Sequence, residues 1–135
     1  MDPQKTAVVL IEYQNDFTSD GGTLHDAVKD VMEKENMLPN TVEMVQKARE
    51  LGATIIHAPI TFTNDYHELS PHPYGILKGV VDSKSFRKGT WGAEIVEDLT
   101  PQEEDISHVL TPDESSGISE RTIRPGTRTD QRKRL

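Results

Sequence analysis

Apolar residues in the first half of the chain form two short continuous runs. Residues 7–11 read Ala-Val-Val-Leu-Ile, and residues 53–60 read Ala-Thr-Ile-Ile-His-Ala-Pro-Ile. Runs of this length that are rich in β-branched residues and bounded by polar ones are typical of strands buried on both faces of a parallel sheet. We therefore predict two buried strands at these positions.

Between the two runs, apolar residues recur at helical spacing. Residues 36–51 form the predicted helix, with Asn40 or Thr41 as the expected N-cap and Gly52 as the end signal. A strand, a helix and a strand in this order indicate a right-handed βαβ unit, which places the chain in the α/β class. Residues 28–37 form a second helix candidate with weaker periodicity.

The second half of the chain is less regular. Residues 61–78 form a predicted loop that is longer than a simple connector needs, so we expect it to cover a site. The segment that follows contains Trp91, the only tryptophan, for which a packing anchor is the usual role. Residues 106–110 are then predicted to form a third strand after a turn.

Composition limits the chemistry of the chain. Its 135 residues suit one domain, and their apolar fraction of 33% is low for a globular fold. Because there is no cysteine, the chain has no disulfide, no thiolate metal ligand and no thiol nucleophile. The absence of a leader pattern and of a long apolar run predicts a cytoplasmic protein with no membrane partner.

Charge divides the chain into two parts. The net charge is −8 overall, but residues 1–110 carry −10 and residues 111–135 carry +2. We predict a folded domain over the first part and a basic, polar, disordered tail over the second. Nucleic-acid binding by the tail is not favoured, because no aromatic residue is interleaved to stack on bases. The abruptness of the change suggests an altered reading frame or splice pattern near residues 105–110.

Three histidines raise the question of a metal site. His57, His67 and His72 do not follow a compact zinc-binding spacing, and no cysteine accompanies them. We therefore predict neither a metal nor another cofactor, and we assign His57, which lies within a predicted strand, a structural role.

Polar residues follow directly after the first predicted strand. Residues 12–17 read Glu-Tyr-Gln-Asn-Asp-Phe. In open α/β sheets, ligands bind in the crevice at the carboxyl ends of the strands, so these residues are candidates for a site. Solvation of an ordinary loop explains them equally well, and the pattern alone does not separate the two interpretations.

Four segments together resemble the isochorismatase-like family of cysteine hydrolases. They are the apolar run that ends in Glu-Tyr-Gln-Asn-Asp-Phe17, the segment Gly-Ala-Thr-Ile-Ile-His57, the loop end Gly75-Ile-Leu-Lys-Gly79, and Lys88-Gly-Thr-Trp-Gly-Ala-Glu-Ile95. Their order and spacing match over about residues 5–105. The resemblance implies a Rossmann-like, three-layer α/β sandwich with a parallel sheet, here truncated, over residues 1–110. It also implies hydrolysis of amide or vinyl-ether bonds in small molecules.

The resemblance also implies roles for individual residues. The catalytic aspartate of the family falls on Glu12, and Gln14, Phe17 and Trp91 map near its substrate cleft, although each of these three can equally be a packing residue. Most amidase members of the family activate a cysteine with an aspartate and a lysine. The expected lysine position lies near Thr111, and the chain has neither that lysine nor the cysteine.

Two functional hypotheses follow. In the first, the chain is a family hydrolase whose activity is absent or impaired, and any remaining chemistry is thiol-independent and uses Glu12 as an acid. In the second, the chain is a non-catalytic partner that binds a full-length homologue or another copy of itself.

Overall fold

The structure is a computed structural model that describes residues 1–110. The predicted tail and the expected lysine position at Thr111 lie outside the described residues. The sheet has three parallel strands in the order β1, β2, β3, formed by Ala7–Ile11, Thr54–Ala58 and Ile106–Ser107. The prediction of a parallel sheet in an α/β fold is confirmed.

Within residues 1–110, four α-helices accompany the sheet. They are α1 (Asn15–Thr18), α2 (His25–Lys34), α3 (Met37–Glu50) and α4 (Ile76–Asp82). Short 3-10 turns occur at Pro3–Lys5, Trp91–Ala93 and Glu97–Leu99. None of the helices among residues 1–110 is long and apolar enough to cross a membrane.

Helix α3 covers one face of the sheet. Side chains alternate between the two faces of a strand, so Leu10 of β1 and Ile55 of β2 point to the same side. Both are buried there against Val45 of α3, and Val96 and Leu99 complete the cluster. The predicted strand, helix and strand thus form a βαβ unit with a continuous apolar core.

The opposite face of the sheet is bare within the described residues. Val9 and Ile106 are each 50% exposed and Ile11 is 57% exposed. Within residues 1–110, the prediction that the strand at residues 7–11 is buried on both faces is therefore wrong, because only the face toward α3 is covered. Val9 pairs in register with Ile56, which in turn pairs with Ile106, so the exposed residues form a row across the sheet. Because parallel sheets are normally covered on both faces, residues 1–110 supply two of the three layers of a sandwich.

The boundaries of α3 correct one prediction. The N-cap is Asn36, which has a φ of 47°, and neither Asn40 nor Thr41 has this role. Thr41 is buried inside the helix, where its hydroxyl donates to the Met37 carbonyl and contacts the Tyr13 hydroxyl at 3.2 Å. Gly52 ends the helix as predicted, because its φ of 86° suits glycine.

Other boundaries shift as well. The weaker helix candidate is real, but it occupies His25–Lys34. The third strand has only two residues, and an isolated bridge joins Leu110 to Ile60 beyond it. The predicted loop 61–78 contains the start of α4. Its buried residues Phe62 and Tyr66 form a second apolar cluster with Val80 and Phe86, so this loop contributes to the core.

Candidate active site

Glu12 lies directly after β1 in an uncommon backbone conformation. Its φ of 59° is in the left-handed region, which residues other than glycine seldom adopt. The Glu12 amide donates to the Ala58 carbonyl at 3.2 Å, and the Glu12 carbonyl accepts from the Gln14 amide at 2.8 Å. These bonds hold the strained residue in place, and such strain is concentrated at functional sites in proteins.

Glu12 opens onto a cleft of about 310 Å³. Helix α2 contributes Val28 and Met32 to the wall, and Met37 and Phe17 add further apolar surface. The remaining lining residues are Ile11, Tyr13 and Thr18. A small cleft that is mostly apolar and contains one ionisable group is typical of a binding site for a small molecule.

The surroundings of Glu12 favour its protonated form. Partial burial raises the pKa of the Glu12 carboxyl group above its ordinary value. Within residues 1–110 this carboxyl group has no hydrogen-bond donor that would stabilise the ionised form. A carboxylic acid in such a cleft can deliver a proton to a bound substrate at a higher pH than an exposed glutamate can.

Gln14 is fully buried, and its side chain is occupied by backbone groups. Its Nε2 donates to the carbonyls of Ile60 and Ala93, each at 2.7 Å, and its Oε1 accepts from the Ile60 amide at 2.9 Å. Gln14 therefore fixes the chain after β2 against the turn at residues 91–93. These contacts give it a positioning role, and a direct contact with substrate stays a prediction.

Phe17 and Trp91 lie in different clefts. Phe17 lines the Glu12 cleft and packs against Phe86 in a tilted arrangement, with ring centroids 5.0 Å apart and an interplanar angle of 51°. Trp91 is 51% exposed, so it is not a buried anchor within the described part of the chain. It lines a second cleft of about 520 Å³, whose other residues are Asn15, Ser19, Glu94, Ile95, Val96, Glu97, Asp98 and Thr100. The structure therefore groups Glu12 with Phe17 and separates them from Trp91.

Asp16 is an organising residue that the sequence reasoning missed. Its Oδ1 accepts from the Thr23 amide at 3.1 Å and from the Thr23 hydroxyl at 2.9 Å. Its Oδ2 accepts from the Phe86 amide at 2.7 Å. Gly92 lies against the same carboxylate, and a Cβ at this glycine would be 2.3 Å from Oδ1. Asp16 thus joins three separate parts of the chain beside the candidate site.

Asp105 was also missed, and it explains the buried His57. The Asp105 Oδ2 atom is 2.5 Å from Nη2 of Arg49 and 2.9 Å from Nε2 of His57, and it accepts from the Gln102 amide at 2.9 Å. Burial by itself raises the pKa of Asp105, but these hydrogen bonds and the charge of Arg49 outweigh it and lower the pKa to about 2. The structural role predicted for His57 agrees with this network.

The remaining histidines of the loop lie at the surface. The Nδ1 atom of His67 is 2.9 Å from the Thr63 hydroxyl and 3.2 Å from Asp65, and both His67 and Asp65 are exposed. Over residues 1–110, no three His, Asp or Glu side chains are grouped so that they could hold a metal ion.

The chain is similar to proteins of a known family. Residues 6–111 match the isochorismatase domain. The ureidoacrylate amidohydrolase RutB of Klebsiella pneumoniae is 33% identical over 115 residues, which cover 77% of this chain and 49% of that protein. RutB of Acinetobacter baylyi is 30% identical over 115 residues, with coverages of 77% and 47%. The chain therefore spans about half the length of these curated relatives.

Solved structures give the same result for the fold. A cysteine hydrolase from Pseudomonas syringae superposes with a TM-score of 0.58 at 19% identity, over 82% of this chain and 48% of that one. A pyrazinamidase from Pyrococcus horikoshii superposes with a TM-score of 0.56 at 22% identity, over 79% and 52% of the two chains. At these identities the likeness establishes the fold alone.

Proposed function

The chain belongs to the isochorismatase family, and from this premise we propose that residues 1–110 contain the proton donor of an active site that hydrolyses small-molecule amides or vinyl ethers. One observation carries the proposal: Glu12 lies at the carboxyl end of β1, on a small apolar cleft, in a setting that favours its protonated form. Phe17 provides an apolar wall of the same cleft for the substrate.

The proposed acid chemistry needs neither a thiol nor a lysine. The Glu12 carboxyl group gives its proton to the terminal vinyl carbon of a bound vinyl ether, and the ether oxygen stabilises the cation that forms. Water then adds to the cation and a proton returns to Glu12. The hemiketal breaks down to a carbonyl compound and an alcohol, which completes the hydrolysis.

Amide hydrolysis is proposed to be absent or impaired in these 135 residues. An amide carbonyl needs a nucleophile, and the chain contains no cysteine. Glutamate also carries one methylene more than the aspartate expected at position 12, which moves the carboxyl group and can lower the rate on the order of 10²-fold.

Substitution of Glu12 tests this proposal. Glu12→Gln preserves the shape of the side chain but cannot donate the acid proton, so we expect it to lower the rate of vinyl-ether hydrolysis about 10²-fold or more. The assay follows product release from a panel of small vinyl ethers and amides. Glu33→Gln, which changes an exposed acid on α2, is the matched control. An unchanged rate in Glu12→Gln would exclude Glu12 as the proton donor.

The pH dependence gives a second test. A general acid is active in its protonated form, so the rate should fall as the pH rises through the pKa of Glu12. Because burial raises this pKa, we expect the fall to occur above the pH at which an exposed glutamate titrates. The pH profile of kcat/KM measures this, and a profile that falls at the value of an ordinary glutamate would contradict the proposed environment.

The bare sheet face favours a second candidate function. Val9, Ile11 and Ile106 expose apolar surface on a type of sheet that is normally covered. A non-catalytic role, in which this surface binds another family chain or a second copy, accounts for that exposure. Association without activity in any substrate panel would favour this alternative over the hydrolase.

A further inference from the structure

We propose that helix α2 is the specificity element of the Glu12 cleft, and that the substrate is an uncharged vinyl ether whose compact hydrocarbon group packs against Val28 and Met32. Both residues belong to α2 and line the cleft. This assignment rests on the proposed function, to which it adds a substrate class and the two residues that select it.

Val28 and Met32 present one side of α2 to the cleft. They are four residues apart, so they lie one above the other on the same face of the helix. Both are half-buried and line the cleft. Val31, on the same helix, is 65% exposed and lies outside the cleft. The helix therefore contributes a defined pair of side chains to the wall.

The start of α2 is tied to the segment that holds Phe17. The Leu24 amide donates to the Asp16 carbonyl at 2.9 Å, and Nδ1 of His25 is 2.8 Å from the Phe17 carbonyl oxygen. Gly22 packs so closely against α1 that a Cβ at this position would be 2.6 Å from the Asp16 carbonyl oxygen. These contacts fix the start of α2 relative to the Phe17 ring, which lines the same cleft.

The end of α2 is held where it meets α3. The Asn40 side chain donates to the Glu35 carbonyl at 3.1 Å, and the Asn36 amide donates to the Glu33 carbonyl at 3.0 Å. Met37 follows at the start of α3 and is itself part of the cleft wall. Because both ends of α2 are anchored, the space in the cleft depends on the size of the side chains that α2 presents to it.

Two hydroxyl groups of the cleft wall already donate within the protein. The Thr18 hydroxyl donates to the Gln14 carbonyl at 2.9 Å. The Thr41 hydroxyl donates to the Met37 carbonyl at 2.9 Å, so Tyr13 is the donor in the 3.2 Å contact between the Tyr13 and Thr41 hydroxyls. The hydroxyl protons of Thr18 and Tyr13 are therefore not free to bind a polar group of the substrate.

The cleft wall determines the chemistry of the part of the substrate that does not react. Five of the eight lining residues are apolar, so a hydrocarbon group is favoured there. A charged group would lose its hydration against these side chains without gaining a partner from them. The volume of about 310 Å³ is at the small end for ligand sites, which favours a single ring over a fused pair.

Phenyl vinyl ether is the simplest substrate with these properties. Glu12 gives its proton to the terminal vinyl carbon, and water adds to the carbon that is bonded to the ether oxygen. A proton returns to Glu12, and the bond between carbon and the ether oxygen breaks in the resulting hemiacetal. One ether and one water thus give one phenol and one acetaldehyde.

A pair of ethers of different size tests the role of α2. The full chain is assayed with phenyl vinyl ether and with the larger naphthyl vinyl ether, and the ratio of the two kcat/KM values is compared among variants. The wild type should prefer the phenyl ether. The double variant with Val28→Ala and Met32→Ala enlarges the cleft and should shift the ratio about tenfold toward the naphthyl ether.

Val31→Ala is the matched control, because it makes the same truncation on the exposed side of the same helix. It should keep the wild-type ratio, and equal ratios in Val31→Ala and the double variant would overturn the proposal. Val28→Phe narrows the cleft and should shift the ratio the opposite way, toward the phenyl ether. An unfolded fraction lowers both rates equally and leaves the ratio unchanged, so selection is separable from loss of folding.

A carboxylated phenyl vinyl ether tests the substrate class. Its charge would be desolvated against the apolar wall, so we expect its kcat/KM to be at least about tenfold below that of phenyl vinyl ether. Equal values for the two ethers would contradict an uncharged substrate.

Binding of saturated analogues separates the role of α2 from the proposed reaction. Ethyl phenyl ether and ethyl naphthyl ether have no vinyl carbon to protonate, and NMR titration of the full chain gives their dissociation constants. The preference for the phenyl compound, and its reversal in the double variant, should appear in these constants as well. Binding in this order without vinyl-ether hydrolysis would refute the acid chemistry and retain the role of α2. A wild-type chain that binds neither ether would overturn that role.

Discussion

Replacing Asp16 by alanine is expected to lower the free energy of unfolding by about 3 to 5 kcal/mol, a large part of the roughly 5 to 15 kcal/mol that stabilises an ordinary domain. The carboxylate accepts three hydrogen bonds, from the Thr23 amide, the Thr23 hydroxyl and the Phe86 amide. Alanine leaves the buried Phe86 amide without an acceptor, at a cost of about 1 to 3 kcal/mol, and it removes two further bonds from the exposed Thr23 to a charged acceptor. It also removes the link between α1 and the segment before Trp91.

Urea denaturation followed by circular dichroism measures this change. Asp16→Asn retains one oxygen acceptor, so we expect a loss of about half that of the alanine variant. Asp20→Ala removes an exposed carboxylate four residues away and should change stability by less than about 0.5 kcal/mol. If Asp16→Ala unfolds at the same urea concentration as Asp20→Ala, the structural role assigned to Asp16 is wrong.

The Asp105 network is expected to make the fold acid-sensitive. Its pKa is about 2 in the folded chain, compared with a usual value of 3.8. A carboxyl group with a lowered pKa adds stability that is fully present above the unfolded value and is lost as the pH falls through the folded value. Asp105 should therefore contribute about 2 kcal/mol at neutral pH, and this contribution should disappear between about pH 4 and pH 2.

Removal of the Asp105 carboxylate should eliminate the part of the stability that is lost between about pH 4 and pH 2. Asp105→Asn is expected to cost about 2 kcal/mol at pH 7 and to flatten the stability curve between pH 4 and pH 2. The adjacent exposed acid provides the control, because Glu104→Gln should leave the curve unchanged. Urea midpoints measured at several pH values test both statements, and parallel curves for the wild type and Asp105→Asn would contradict the assignment.

Local sequence patterns were sufficient to predict the first strand and the helix that follows it in the βαβ unit. The run at residues 7–11 and the helix before Gly52 are fixed by short-range properties, namely β-branched side chains, helical spacing and a glycine with positive φ. The N-cap of α3 was predicted wrongly because Asn40 and Thr41 have good capping chemistry, whereas the N-cap is Asn36, one turn earlier, and the helix begins at Met37. Capping preference identifies several candidate N-cap residues, and the packing of the helix determines which of them has that role.

The candidate site was only partly predictable. The position of Glu12 directly after the first predicted strand was sufficient to predict its place at the carboxyl end of the sheet, and Phe17 lines the same cleft. The separation of Trp91 from Glu12 was not predictable, because it depends on how the chain returns to the sheet more than 70 residues later. The internal contacts of Gln14 likewise depend on two distant backbone segments.

The sequence by itself determined the α/β class, the main βαβ unit and the absence of a thiol, because these follow from periodicity and residue type alone. Tertiary structure alone decided which polar residues serve the fold and which face a cleft. Asp16 and Asp105 carry the same carboxylate group as the exposed acids Asp20 and Glu104 near them in the chain. They differ because the remote Phe86 amide reaches Asp16 and a remote arginine and histidine reach Asp105, and such contacts between distant residues leave no local signal.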